Sequence, residues 1–361
     1  MAITLKDINV LISKGQPIEN IEFSGSQFSS ANLGGANFIN CQFVKCQFDK
    51  STIEQINFIG CQFEICSFNN ANLIEASFIE CELTSCQFKQ ARINGTNWVQ
   101  PALNNCDFTQ SLAGESNIIE GKLSQCQFTQ ADLEFASFMQ CDINGCQFNQ
   151  ARLVRTNYIE CVFNEVSFRE AVMHITIFEK PELENQDFSN MDLTQTQFRN
   201  AILNGCSFKG SQLVQTAFVD AELNNCDFTQ AQCTMALFTG SQLTQSKLMQ
   251  CQLEQASFQG SNLTACNLSS SQLVQAQLAN THCIGTLFTN CDLSYADLSM
   301  AICDRTDFGN ASLFRTNLHG IIDNGSNWSG SSKSLALGTD QKLEQAQAWK
   351  PKKATTKLEA L

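Results

Sequence analysis

The chain has no run approaching the roughly 18 consecutive apolar residues that a membrane-spanning helix requires, which excludes insertion by that route. Its opening, MAITLKDINV, lacks the charged start and apolar centre of a secretory signal, so a soluble cytoplasmic protein is expected. Positive charge is scarce. With 22 Lys and Arg against 35 Asp and Glu, the net charge of −13 argues against direct binding to nucleic-acid phosphates, which takes a basic surface. Histidine is scarcer still, with His174, His282 and His319 alone, and no Walker loop, dinucleotide fingerprint or HExxH motif occurs. Neither catalysis nor a cofactor is expected from such an inventory. Two Tyr and three Trp stand against 28 Phe in 361 residues that are 43% hydrophobic, enough apolar material to exclude a disordered chain.

What is present is a repeat. Stepping five residues at a time from Phe23 to Leu318 visits 60 positions, all apolar: 26 Phe, 23 Leu, 4 Ile, 3 Cys and single Trp98, Tyr158, Met173 and Ala113. Two residues before each such centre the chain is usually small, as at Ala31, Ala36, Cys41, Cys46 and Ser51, and the register never slips. A period of five fits neither the 3.6 of a helix nor the 2.0 of a flat strand. Each unit must instead form one side of a coil, with the centre and the small residue before it turned inward.

The units ANLGG, ANLIE, ADLEF and ADLSM follow the pattern A(D/N)LXX, and over about five-sixths of its length the chain resembles the pentapeptide-repeat family. The resemblance implies an all-β fold, a right-handed quadrilateral β-helix with four pentapeptides per coil and short terminal helices. The sequence offers a check on the four sides. Centres 20 apart should stack, and the column Phe28, Phe48, Phe68 onward to Phe308 is Phe at 13 of 15 positions, while the column Leu33, Ile53, Leu73 onward to Leu313 has none. About 15 coils at the inter-strand spacing of about 4.8 Å give a rod of about 70 Å whose stability is a sum of neighbour contacts and whose ends need caps. On such a rod the three histidines lie on different sides and far apart, so no catalytic arrangement assembles.

Residues 1–20 read as a capping segment, with Thr4 and Asp7 opening a short helix over about 5–14, and residues 21–320 as the β-helix. Residues 321–361 read as a cap in which Asp323 ends the core pattern, a Ser/Gly-rich linker at 329–339, a helix capped by Asp340 and stopped by Pro351, and a solvated tail bearing Lys350, Lys352, Lys353 and Lys357. Of the 19 cysteines, 16 occupy the small inward position and Cys233, Cys283 and Cys303 occupy centres, in spacings of 5 and 20 rather than the CxxC spacing of zinc sites. They read as packing in a reducing cytosol, with metal binding or redox sensing by stacked thiols as the alternative.

Function must then lie on outward positions. The residue after the centre on one side reads Ile39, Ile59, Ile79, Val99, Ile119, Met139 and Ile159, then turns to Glu179 and Arg199. Stacked, these make an apolar ladder about 30 Å long. An exposed apolar patch of that kind points to a partner, although cover by a flank or the preference of β-branched residues for strands gives the same pattern. A second side is acidic, with Glu22, Glu64, Glu82, Asp142, Glu165, Glu182, Glu184, Glu222 and Asp304 against Lys45, Lys122 and Arg305. That side is similar to the DNA-mimicking, gyrase-directed members of the family, but a solenoid charge of −15 amounts to one per roughly 5 Å, against one per about 1.7 Å in DNA. The expected role is a non-enzymatic protein-binding scaffold acting through the ladder, the alternatives being a modulator of gyrase or another type II topoisomerase and a plain spacer. The stretches LISKGQPIENIEFSGSQF and ASLFRTNLHG with GTDQKLEQAQAW resemble repeat proteins associated with bacterial type VI secretion effectors, which implies secretion machinery or an effector as partner. Trp328 and Trp349 would suit a homodimer contact through the terminal segments. One coil, with Pro181, Gln186 and Met191 at the small inward positions, marks a bend or a bulge.

Overall fold

A computed structural model describes residues 4–349. The five-residue period has a backbone cause. Every fifth residue from Gly15 to Gly330 lies in the left-handed region, with φ between 51° and 76°, and turns the chain onto the next side of the coil. A non-glycine residue there costs about 1–2 kcal/mol, so the corners need compensation. They receive it from stacked corner amides: Gln90 donates to Gln110 at 2.9 Å, Gln110 to Gln130 at 2.8 Å, Gln130 to Gln150 at 2.9 Å and Gln150 to Glu170 at 2.7 Å.

Backbone partners lie 20 residues apart, as in Phe38 with Phe58 and Phe58 with Phe78, so four pentapeptides make one turn of a parallel β-solenoid. One side forms a ten-stranded sheet, from Ile18–Glu19 to Gln197–Arg199, and the next an eight-stranded sheet, from Glu22–Ser24 to Val162–Asn164. Extended strands thus mark about nine turns, fewer than the 15 coils expected. Elsewhere a side shrinks to one bridged residue followed by a two-residue turn, and such bridges continue the 20-residue step as far as Asn317 with Leu337.

The inside is filled by the centres, all buried from Phe23 to Leu318. Their columns stack ring on ring: Phe48 on Phe68 at 4.6 Å, Phe68 on Phe88 at 4.7 Å and Phe108 on Phe128 at 4.8 Å. Such pairs contribute about 0.5–1.5 kcal/mol each beyond the apolar area they bury. The small inward residues are buried too, and Gln186 is the one exception between residues 31 and 316.

Gln186 belongs to a fault in the stack. Between the coil at 161–175 and the coil at 181–195, the bridges that would join Val162 to Glu182, Ser167 to Asp187 and Val172 to Asp192 are absent among the described residues. Three of four sides are open there; the fourth holds through Asn157 with Ile177 and Ile177 with Gln197. The cause is the occupancy of the small positions. Gln186 and Met191 are too long for sites that elsewhere hold Ala, Ser, Thr or Cys, and Pro181 precedes them on the first open side. The bend or bulge expected at this coil is therefore a seam.

Both ends are capped. Helix α1, Leu5–Ser13, opens with a capping box in which Thr4 and Asp7 exchange hydrogen bonds, and Ile8, Leu11 and Ile12 pack on the first coil. At the other end Asp323 sits where a centre should be. Its carboxylate accepts the Trp328 indole N–H at 2.9 Å and pairs with Lys333 at 3.4 Å, while Trp328 stacks on Phe308 at 4.1 Å. The stretch read as a linker holds a 3-10 turn at Lys333–Leu335, and Leu337 bridges Asn317. Helix α2, Gln341–Ala348, is capped by Asp340 and docked by His319, whose Nδ1 accepts from the Asp340 N–H at 3.1 Å. The tail lysines lie outside the described residues.

Candidate functional site

The ladder is assembled by the ten-stranded sheet. Register pairs Ile39 with Ile59, Ile59 with Ile79, Ile79 with Val99, Val99 with Ile119, Ile119 with Met139 and Met139 with Ile159, then Ile159 with Glu179 and Glu179 with Arg199. All seven ladder side chains retain exposure, Met139 the most at 38%. They are half-covered by one another, because rungs in register shield their neighbours. Neither helix packs along the strands that carry them: α1 seals the first coil, and α2 sits at the opposite end against His319.

The acidic residues gather on the neighbouring side. Glu22, Glu64, Glu82, Glu165, Asp142, Glu182, Glu184 and Glu222 are exposed and Asp304 is half-buried. Several are tied by amides of adjacent coils: Gln62 donates to Glu82 at 3.3 Å, Asn204 to Glu184 at 3.2 Å and to Glu222 at 3.3 Å, and Asn324 to Asp304 at 2.8 Å. Glu64 and Glu82 line a shallow groove of about 250 Å³.

All 19 cysteines are free and buried. Most perform one repeated task, donating the thiol to the carbonyl of a centre in the preceding coil, as Cys41 to Ile18 at 3.3 Å, Cys61 to Phe38 at 3.4 Å and Cys206 to Leu183 at 2.9 Å. Thr156 to Leu133 and Thr216 to Leu193, both at 2.8 Å, do the same with hydroxyls, which explains why Cys, Ser and Thr interchange at this position. Burial pushes the thiols of Cys206, Cys266 and Cys291 up to about 12. Cys86, between the thiols of Cys106 and Cys66 and out of water, is also held protonated. Among the described residues no group of three or more His, Cys, Asp or Glu is arranged to hold a metal ion. His174 pairs with Asp192 at 2.8 Å and His319 docks α2, so each of these has a local partner. Of the two tryptophans expected at a homodimer contact, Trp328 is committed to its own chain's cap, and Trp349 is 71% exposed.

Sequence reading missed the corner amide stacks. Their signal was the recurrence of Gln at 90, 110, 130 and 150, outside the centre and small positions that fix the repeat.

A family model described as a pentapeptide repeat region matches residues 60–138, 81–157 and 181–258, and another, of pentapeptide repeats in eight copies, matches 21–58, 246–282, 271–302 and 291–322. Residues 158–180, which include one lip of the seam, fall between those matches. No curated protein matches the chain. Among solved structures it is similar to HetL, a pentapeptide repeat protein involved in heterocyst differentiation regulation from the cyanobacterium Nostoc, at 22% identity over 62% of this chain and 90% of that one, with a TM-score of 0.45. It is also similar to QnrB1, a plasmid-mediated fluoroquinolone resistance protein, at 14% identity over 67% of this chain and 91% of that one, with a TM-score of 0.25.

Proposed function

The chain belongs to the pentapeptide-repeat family, and from that premise we propose that it is a non-enzymatic scaffold that binds another protein through the ladder from Ile39 to Ile159. One observation carries the reading. Seven apolar side chains stand in register on consecutive strands of one face and stay partly exposed, with neither terminal helix packed along them. A partner that covers them removes apolar surface from water at roughly 25 cal/mol per Å². The setting we propose is the loading of a type VI secretion effector, in a reducing cytoplasm that suits 19 free thiols. A homodimer through the C-terminal end would use Trp349.

A second reading has its own support in the exposed carboxylates gathered on the adjacent side. In it the acidic side presents a DNA-like surface to a type II topoisomerase. The two part under one experiment: affinity capture from the native host with mass spectrometry, comparing wild type, Ile79→Glu/Ile119→Glu, and a charge reversal at Glu182, Glu184 and Glu222, each checked for retained β-structure. Ladder docking predicts that a partner is lost with the first variant, kept with the second and insensitive to salt. Loss only with the charge reversal, steepening with salt, transfers the function to the acidic side. A partner retained by both variants leaves neither surface as the contact.

A further inference from the structure

The seam is more than a packing defect, because of what its lips present. In regular coils the centre and the corner each donate an N–H to the coil that follows, as Phe148 to the Ser167 carbonyl at 2.8 Å and Gln150 to the Arg169 carbonyl at 2.9 Å. At the seam the corresponding bonds are missing among the described residues. Phe163, Glu165, Phe168, Glu170 and Met173 donate to no carbonyl of the lower coil, and Glu182, Asp187 and Asp192 donate to none of the upper. Two strand edges therefore face each other across a gap, each with a row of unpaired donors and acceptors. Such an edge is a template for another strand.

The gap has a defined form. It contains a cleft of about 640 Å³, within the usual range for ligand sites, lined by residues 169–172, Asp187 and residues 189–192. It closes toward the ladder face, where Ile175 N–H still reaches the Thr194 carbonyl at 3.2 Å and His174 reaches Asp192 at 2.8 Å. The Phe column breaks at the same place. Phe148 stacks on Phe168 at 5.3 Å and Phe188 on Phe208 at 5.2 Å, with no stacked pair between Phe168 and Phe188. The corner stack beginning at Gln90 also ends here, at Glu170, whose carboxylate is an acceptor and cannot donate onward.

The charge around the gap is predominantly acidic. Glu170, Asp187 and Asp192 line the cleft, and Glu165, Glu182 and Glu184 stand exposed farther along the lips. Against them are Arg169, paired with Glu170 at 3.4 Å, His174, paired with Asp192 at 2.8 Å, and Lys180 beside Pro181. Hydrogen bonds from Ser189 hold the Asp187 carboxyl below its ordinary range, so it is ionised at neutral pH.

We propose that the seam between 161–175 and 181–195 is a docking site for an extended basic polypeptide segment, which enters as an added strand and pairs with the two open edges. Its backbone would satisfy the orphaned donors and acceptors, and alternate Lys or Arg side chains would meet the carboxylates at the rim. The proposal uses a different surface from the ladder and stands or falls without it.

The test uses the full chain and two synthetic heptapeptides, one alternating Lys with Val and one alternating Glu with Val, with hydrogen exchange read over 161–175 and 181–195. In the free protein these segments are expected to exchange faster than the coils on either side, and the basic peptide is expected to slow them by at least about tenfold while the acidic one does not. Gln186→Cys/Met191→Ala restores small residues at the faulty positions, and is expected to slow the same segments without peptide and to abolish peptide protection. Glu182→Lys/Glu184→Lys alters exposed side chains only, and is expected to weaken protection by the basic peptide with the free-protein exchange unchanged. The proposal is overturned if the free segments already exchange as slowly as their neighbours, if the basic peptide protects nothing, or if the acidic peptide protects equally.

Discussion

Replacing Tyr158 by Phe should make the protein more stable. The ring lies in the core column, stacked between Phe138 at 4.8 Å and Phe178 at 4.9 Å, with Phe163 edge-on at 5.5 Å. Its hydroxyl is buried and has no hydrogen-bond partner, and burial pushes its pKa well up. An unmade hydrogen bond at a buried hydroxyl costs about 1–3 kcal/mol, whereas the ring contacts survive the substitution unchanged. Tyr158→Phe is therefore expected to gain about 1 kcal/mol or more in urea unfolding followed by circular dichroism. Trp98 supplies the contrast. It occupies an equivalent centre, stacks on Phe78 at 4.0 Å, and its indole donates to the Thr96 hydroxyl at 2.9 Å, so Trp98→Phe loses a satisfied bond as well as volume and should destabilise. A loss of about 1 kcal/mol in Tyr158→Phe would mean that the hydroxyl is in fact paired, and the reasoning would fail.

Acid should loosen the C-terminal cap. Burial opposes ionisation of Asp323, but hydrogen bonds from Ser326 and Trp328 and the charge of Lys333 outweigh it and hold the carboxyl below its usual 3.8. A lowered carboxyl pKa stabilises the cap above the unfolded value and the effect is lost as pH falls below it, so Trp328 emission should shift to the red below about pH 3.8 in wild type and at neutral pH in Asp323→Asn; no shift in the variant would refute the link. For Cys206, Cys266 and Cys291, a thiol raised from 9.0 to about 12 carries about a thousandfold less thiolate at neutral pH. All 19 are buried, so none should react quickly with a thiol reagent in native protein and all should react in denaturant, and a fast-reacting fraction or stoichiometric zinc would return them to chemistry.

The inside of this molecule was legible in the sequence because its constraint is local and repeated. A Phe at 28, 48 and 68 with small residues two positions earlier leaves no other way to bury both, and the 20-residue sorting of Phe from Leu fixed the number of sides. The termini were legible for the same local reasons, Thr4 with Asp7 at one end and Asp340 at the other. The count of extended turns was not, since a pentapeptide with a three-residue strand and one with a single bridged residue satisfy the same inward pattern. Nor was the role of Gln at the corners, where the stabilising partner lies 20 residues away and the gain comes from amide pairing rather than burial. Gln186 and Met191 announced a fault, but whether the chain would bulge outward or part from its neighbour depended on bonds across coils that no single coil encodes.

That parting arranges the surface as well as the core. In a solenoid each coil is held only by the coils beside it, so an interface lacking three of its four sides is the weakest step in the stack. The side that remains, through Asn157, Ile177 and Gln197, is the side that carries the ladder, and its chemistry changes at this step from Ile159 to Glu179 and Arg199. An apolar partner lying along the rungs would stop at the step where the stack is least able to hold a fixed shape. The acidic residues respond the other way, since Glu165, Glu182 and Glu184 crowd the open lips on the adjacent side. The rod thus separates an apolar surface on continuous sheet from a polar, charged opening, and two contacts of opposite chemistry can be made without competing for the same strands.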